Sequence, residues 1–325
     1  MRILVTGGGG FLGRAIVRQL LERGDSVSSI SRSDYPELAE LGVICHRGDM
    51  ADREAVMAAV DGVEAVIHVA AKAGPGLYCP DFFAANVDGT RNVIDACRHH
   101  GVRYLVHTSS PSVVHAGGDI EGGDESLPYP PEFPAPYPAT KAEAEHLALA
   151  ANGGDLKTCA LRPHLVWGPG DNNLLPRLAE RNRTGRLKLP APDRLIDTVY
   201  IDNAAEAHLL ALDNLTGAAT AAGKAYFITN GEPLAVGEWL ERLLAASGET
   251  PRLGRISPRL AMAAATLVEG VWRGLRLKRD PPLSRFVVEQ LATAHWFDIT
   301  AARRDLGYAP RVSIDEGMRR LGDAS

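Results

Sequence analysis

Tyr137 and Lys141 stand four residues apart in the run Tyr137-Pro-Ala-Thr-Lys141. On a helix that spacing puts both on one face, so a phenol and an ammonium can act on one spot. An isolated phenol titrates near ~10, and lowering it by about three units takes about 4 kcal/mol at ~1.36 kcal/mol per unit. A unit positive charge about 4 Å away supplies ~1 kcal/mol in water but ~4 kcal/mol at an effective dielectric near 20. Lys141 is thus expected to tune Tyr137 only in a partly dry site. The spacing alone is common on helices. A second group strengthens it: His107-Thr108-Ser109-Ser110 ends an apolar run, and Ser110 could hold a substrate oxygen while Tyr137 moves its proton.

A third group begins the chain. Ile3-Leu4-Val5 runs into Thr6-Gly-Gly-Gly-Gly-Phe-Leu-Gly13. A strand, closely spaced glycines and a helix form a cradle for a pyrophosphate, with the helix N-terminus facing the anion. The glycines fit two templates, Gly7/Gly10/Gly13 or Gly8/Gly10/Gly13. At the end of the second strand an acidic residue would select a free ribose 2′-OH. This chain has Ser31-Arg32-Ser33 there, and a guanidinium with hydroxyls suits a 2′-phosphate. NADP(H) is therefore expected over NAD(H), with Arg32 the discriminator. Asp49 suits the adenine amino group or the cap of the next helix equally.

These groups need elements to hold them. Apolar runs at 26–30, 43–46, 65–69, 104–107 and 158–161 alternate with helical stretches at 11–23, 35–41, 51–60, 81–99 and 137–151. Such alternation implies right-handed crossovers and a doubly wound, Rossmann-like parallel α/β sheet, with its ligand at the carboxyl ends of the strands. Residues 1–165 are expected to form this nucleotide-binding domain, with 197–230 returning to it. Residues 166–196 and 231–325 would form a smaller, mostly helical substrate-capping region, with helices at 236–246, 259–275, 284–294 and 314–321. The apolar stretch 260–268, with Val271 and Trp272, could wall a channel or simply pack; followed by Arg273, Arg276, Lys278 and Arg279, it could also lie on a membrane.

The 325 residues are 45% hydrophobic, enough for one large core or two modest ones, and the net charge of -5 gives nucleic-acid binding no electrostatic support. Cys45, Cys79, Cys97 and Cys159 show no metal-ligand spacing and read as reduced, buried thiols of a cytoplasmic protein. No metal and no transmembrane segment is expected.

Together these pieces resemble the extended short-chain dehydrogenases/reductases over nearly the whole chain. The likeness includes His68-Val-Ala-Ala71, Asn86-Val-Asp-Gly-Thr90, Arg162-Pro-His164 with Gly168-Pro-Gly170, and Leu306-Gly-Tyr-Ala-Pro310. Within that family the chain is similar to the 3β-hydroxysteroid dehydrogenase branch, through Ser109-Ser-Pro-Ser-Val-Val-His115, and to bacterial 2-alkyl-3-oxoalkanoate reductases of long-chain olefin biosynthesis, through Arg32-Ser-Asp-Tyr-Pro36 and Ala70-Ala-Lys-Ala-Gly74. The resemblance implies Ser110, Tyr137 and Lys141 as the catalytic set. It implies Gly7, Gly10, Phe11, Leu12, Gly13, Arg32, Asp49, Met50, Ala70, Lys141 and Pro163 as cofactor contacts. The implied reaction is NADPH-dependent reduction of a long-chain 2-alkyl-3-oxo acid to its 3-hydroxy acid, with His164 or Arg177 available to the carboxylate. A steroid or sterol-carboxylate dehydrogenase, a nucleotide-sugar epimerase and a non-catalytic NADP(H) sensor are the alternatives. A dehydratase is disfavoured, because Ser109-Ser110 stands where those enzymes carry an acidic pair. The resemblance further implies a homodimer through the helices near 81–99 and 137–151, and assembly with other olefin-pathway enzymes.

Overall fold

A computed structural model describes residues 1–324. Seven strands make one parallel sheet: β1 (Arg2–Thr6), β2 (Ser26–Ser31), β3 (Ile44–Arg47), β4 (Ala65–His68), β5 (Tyr104–Thr108), β6 (Lys157–Pro163) and β7 (Ala225–Ile228). Their spatial order is β3-β2-β1-β4-β5-β6-β7. The chain order reverses between β1 and β4, which opens a crevice at their carboxyl ends.

Helices cover both faces, so the central strands are apolar without alternation. Ile3, Leu4 and Val5 of β1 are all fully buried. Successive side chains still point to opposite faces. Ile3 and Val5 join the core with Ile16 and Leu20 of α1 (Phe11–Glu22). Leu4 joins Val56 and Val93 on the other face, Val93 belonging to α2 (Gly89–His100). The helix α3 (Pro136–Ala150) starts with Pro136 in its first turn, where a missing N–H is tolerated. Its Ala144 and Ala148 are fully buried. The helix α4 (Ile201–Thr216) packs beside α1.

Several expectations are corrected. The helix expected at 81–99 is broken: a turn at Cys79–Phe82 leads into a π-helical segment, Phe83–Asp88, before α2 begins. Extra backbone residues per turn let Asn86 aim inward, where its Nδ2 donates to Lys72 O (3.0 Å) and Thr140 Oγ1 (3.0 Å) while its Oδ1 accepts from Lys72 N (2.7 Å). The later chain carries helices at Val236–Ala246, Pro258–Gly274, Arg285–Ala292 and Ile314–Asp323, where they were expected, and adds strands that were not. Ile120–Gly123, Leu195–Ile196, Leu234–Ala235 and His295–Phe297 form a second, mixed sheet from very short strands. Two of the four thiols, Cys45 and Cys79, are exposed rather than buried, because β3 is an edge strand and Cys79 lies in a surface turn.

Late in the chain lies a two-helix unit, α5 (Pro258–Gly274) and α6 (Arg285–Ala292), followed by His295–Phe297 of the second sheet and the helices Thr300–Leu306 and Ile314–Asp323. Ala261, Ala265 and Val288 give it a small core of its own with Met262 and Leu283. No helix among the described residues is long and apolar enough to cross a membrane.

Candidate active site

Parallel strands deliver all the chemistry-bearing residues to one edge of the sheet. Gly7, with φ of +70°, turns the chain off β1, and its N–H donates to Ile30 O (2.8 Å). A Cβ on Gly7 would stand 3.1 Å from the Ala70 Cα, just beyond β4. A Cβ on Gly13 would sit 2.1 Å from Gly7 O, so α1 can lie this close to the loop only with glycine there. Gly10 is the N-cap of α1 and donates to Gly7 O (2.9 Å). Of the two templates, Gly7/Gly10/Gly13 therefore describes the turn, while Gly8 is pressed against Ser29, to whose Oγ its N–H donates (3.1 Å). Phe11 and Leu12, in the first turn of α1, stay half-buried. The loop is narrow, lined by backbone N–H groups and capped by a helix N-terminus, which fits a dinucleotide pyrophosphate.

Arg32 follows β2, is exposed, and makes no hydrogen bond or ion pair through its side chain among the described residues. Beside it is a cavity of about 150 Å³ lined by Ser29, Ser31, Ser33, Tyr35 and Arg47. Arg47, at the end of β3, pairs with Asp34 at 3.3 Å. Sequence reading passed over Arg47. The signal was there in kind, since adjacent parallel strands end side by side, but the β2–β3 register needed to place it is tertiary. Asp49 is exposed and accepts from Ala51 N (3.0 Å). It does not cap the next helix; Asp52 does, accepting from Glu54 N and Ala55 N. Met50 is buried against Gly89, and Pro163 closes β6 opposite Ile228.

The three proposed catalytic side chains converge beyond β5. Ser110 caps the short 3-10 turn Pro111–Val114, its Oγ 2.9 Å from Ser112 Oγ. Tyr137 is surrounded by protein on most sides but keeps part of its surface open. Burial pushes its phenol up, and a hydrogen bond with Ser110 draws it back down. In this structure Ser110 is the group that draws the phenol down. Lys141 is 3% exposed, and its Nζ donates to Thr108 O at 2.5 Å. A buried ammonium must find an acceptor, and the carbonyl at the end of β5 supplies one. Burial pulls Lys141 down to about 8, with Glu145 holding it up.

Glu145, one turn further along α3, is fully buried. It accepts from Arg162 Nε (2.9 Å) and Nη2 (2.6 Å) and from Tyr129 OH (2.6 Å). This ionic core behind Lys141 was not foreseen, because Arg162 reaches it from β6. His68 and His107, buried close to Lys141, are held neutral by burial and by its charge, His68 down to about 3. Asn86, through Thr140, ties the loop after β4 to the turn of α3 between Tyr137 and Lys141.

Other candidates fall away. His164 is buried, with Nδ1 2.6 Å from Asp197 Oδ1 and its ring edge-on to His295 and Phe297. Arg177 is exposed and lies 3.6 Å from Asp280. In α5, Leu260, Leu267 and Val271 are 61%, 71% and 45% exposed and so wall no enclosed channel. It is α6 that reaches the site, with the Phe286 ring edge-on to Tyr137 at 6.4 Å. A larger hollow of about 500 Å³ lies at the β7 edge between Tyr129, Lys224 and Asp305, and holds none of Ser110, Tyr137 or Lys141.

Residues 4–255 match the 3-beta hydroxysteroid dehydrogenase/isomerase family. The chain is 54% identical to a "2-alkyl-3-oxoalkanoate reductase" of Stenotrophomonas maltophilia, covering 100% of this chain and 99% of that protein. It is 45% identical to a protein of the same name from Shewanella oneidensis, over 98% of this chain and 84% of that one. Among solved structures it is similar to the Thermus thermophilus UDP-glucose 4-epimerase in complex with NAD, at a TM-score of 0.76 and 28% identity, over 100% of this chain and 98% of that one.

Proposed function

Because the chain belongs to the 3-beta hydroxysteroid dehydrogenase/isomerase family, and is an oxidoreductase of the CH–OH/carbonyl type with a nicotinamide cofactor, we propose that it reduces a 2-alkyl-3-oxoalkanoate to the 2-alkyl-3-hydroxyalkanoate using NADPH. The observation that carries this reading is the 54% identity, end to end, with a protein named for that reaction. The convergence of Ser110, Tyr137 and Lys141 beyond β5 supports it.

The residues that would hold the cofactor are the Gly7–Gly13 loop for the pyrophosphate, Arg32 with Ser33 and Arg47 for a 2′-phosphate, and Lys141 for the nicotinamide ribose. When bound, the reduced nicotinamide supplies the hydride that carbon 3 of the substrate accepts. The chain itself supplies orientation and a proton. Ser110 donates a hydrogen bond to the ketone oxygen. Tyr137, whose phenol is held protonated by burial, gives its proton to that oxygen as charge develops on it. Lys141, anchored on Thr108 O and backed by Glu145, places a positive charge where it favours the resulting phenolate. Phe286 stands edge-on to the phenol ring from α6.

The reverse reaction gives the test. A racemic long-chain 2-alkyl-3-hydroxy acid and NADP+ are expected to generate NADPH, with NAD+ much less effective. No turnover of this acid, alongside turnover of a UDP-sugar, would reject the substrate. Equal efficiency with NAD+ would reject the role given to Arg32.

A further inference from the structure

Two polar groups of one neighbour reach the Ser110 hydroxyl. Ser112 N–H donates to Ser110 Oγ at 3.2 Å, and Ser112 Oγ lies 2.9 Å from the same atom. The local sequence enforces this. Pro111 has no N–H and a fixed φ, so Ser112 carries the first free N–H of the Pro111–Val114 turn. The turn is closed by Val113 N donating to Ser110 O (3.2 Å) and His115 N donating to Ser112 O (3.3 Å). Val113 and Val114 anchor it in the main core. Ser112 is therefore fixed against Ser110 and cannot swing away.

Counting protons gives the bond between the two hydroxyls a direction. A hydroxyl has one proton to give and can receive two. Ser112 N–H fills one receiving position on Ser110 Oγ. Ser112 is 8% exposed, and its Oγ meets no acceptor other than Ser110 Oγ among the described residues. Were Ser110 to donate to Ser112, the Ser112 proton would be buried without an acceptor, which folded proteins avoid. With Ser112 as donor, both receiving positions on Ser110 are filled. The Ser110 proton then has to point outward, to Tyr137, the other polar side chain that Ser110 meets. The preceding hydroxyl, Ser109 Oγ, is buried with no partner and takes no part.

We propose that Ser112 is a positioning residue, which by donating to Ser110 Oγ fixes Ser110 as a donor toward the reacting oxygen. This rests on the reading above, in which Ser110 donates to the ketone oxygen. A hydroxyl that receives two hydrogen bonds gives a stronger one, and the benefit grows as negative charge develops on the ketone oxygen. Without the Ser112 hydroxyl the Ser110 proton is free to turn away, and the ketone oxygen then faces a lone pair.

A double-mutant cycle on the full chain tests this, with oxidation of the 2-alkyl-3-hydroxy acid by NADP+ as the assay. Ser112→Ala should lower kcat and kcat/KM together by about three- to tenfold, the worth of one hydrogen bond. In a Ser110→Ala background the same change should alter neither by more than about twofold, because its only target is gone. Ser112→Thr should be faster than Ser112→Val, which has the same shape without the hydroxyl, by about three- to tenfold. A packing role would instead slow Thr and Val alike, and would slow the Ser110→Ala protein too. Either result, or a Ser112→Ala protein as fast as wild type, would overturn the proposal. A readout without substrate separates it from the reductase reading. In protein labelled with carbon-13 at the tyrosine Cζ, the Tyr137 resonance is identified by its loss in Tyr137→Phe. It should titrate at higher pH in Ser112→Ala than in wild type, because Ser110 then donates less to the phenolate. An unshifted titration overturns the role of Ser112 whether or not wild type oxidises the acid. A shifted titration, beside a wild type that leaves the acid untouched, rejects the substrate and supports Ser112.

Discussion

Replacing Lys141 with methionine should make the protein more stable while removing its activity. Lys141 is 3% exposed, and burial holds its ammonium at about 8 against an ordinary 10.5. At ~1.36 kcal/mol per unit, keeping it charged in the folded protein costs about 3 kcal/mol. Methionine has a similar length and no charge. Its gain is offset by the hydrogen bond lost at Thr108 O, worth about 1 kcal/mol, which leaves a net stabilisation of about 2 kcal/mol at pH 7. The pH dependence identifies the cause. Below pH 8 both folded and unfolded wild type carry the proton, and the folded state bears the whole cost. Between pH 8 and 10.5 the folded state releases it first, so wild-type stability rises with pH as far as this group is concerned. The advantage of Lys141→Met should therefore be full at pH 7, shrink from pH 8 upward and, above 10.5, give way to a deficit of about 1 kcal/mol from the lost hydrogen bond. Urea unfolding of both proteins across this range measures it, and steady-state reduction by the variant should fall by about 10²–10⁴. A variant less stable than wild type at pH 7, or a difference flat in pH, would refute the reasoning that Lys141 is a strained functional charge.

Four further outcomes follow from the site. Tyr137→Phe should lose about 10²–10⁴ in reduction rate while binding NADPH within a few-fold of wild type, as read by equilibrium dialysis; retained turnover would remove Tyr137 from the proton path. Reduction should decline as pH rises through about 8, where Lys141 loses its charge, and a pH–rate profile flat to pH 10 would contradict that role. Glu145→Ala leaves the Arg162 guanidinium buried without its carboxylate and should destabilise the fold by about 3–5 kcal/mol in urea. Arg32→Ala should raise the KM for NADPH by about 10–100-fold, the worth of charge-assisted hydrogen bonds, and leave NADH kinetics nearly unchanged; equal losses with both cofactors would place Arg32 away from the 2′-phosphate.

Local pattern was enough for the nucleotide-binding half. Ile3-Leu4-Val5 before Gly7, Gly10 and Gly13 can be read within a dozen residues, because a buried strand, a φ-positive glycine and a helix start are each local demands. Tyr137 and Lys141 were legible for the same reason, as i and i+4 on one helix. Expectations failed where a residue's partner is distant in the chain or where its surroundings were unknown. The π-helical segment at Phe83–Asp88 arises because Asn86 satisfies Lys72 and Thr140 across three segments. The second sheet escaped notice because strands of two to four residues carry too little periodicity to read.

From its residues alone, then, this chain declares a dinucleotide cradle and a Tyr/Lys helix, since both follow from short-range geometry and backbone sterics. Which groups face each other was decided only by tertiary structure. Lys141 turns to Thr108 O because burial obliges an ammonium to find an acceptor; Arg162 crosses from β6 to meet Glu145; and α5 shows its leucines to solvent because α6 claims its other face. Each of these depends on the desolvation of charge or apolar surface by segments distant in the chain, and that quantity does not exist until the chain has folded.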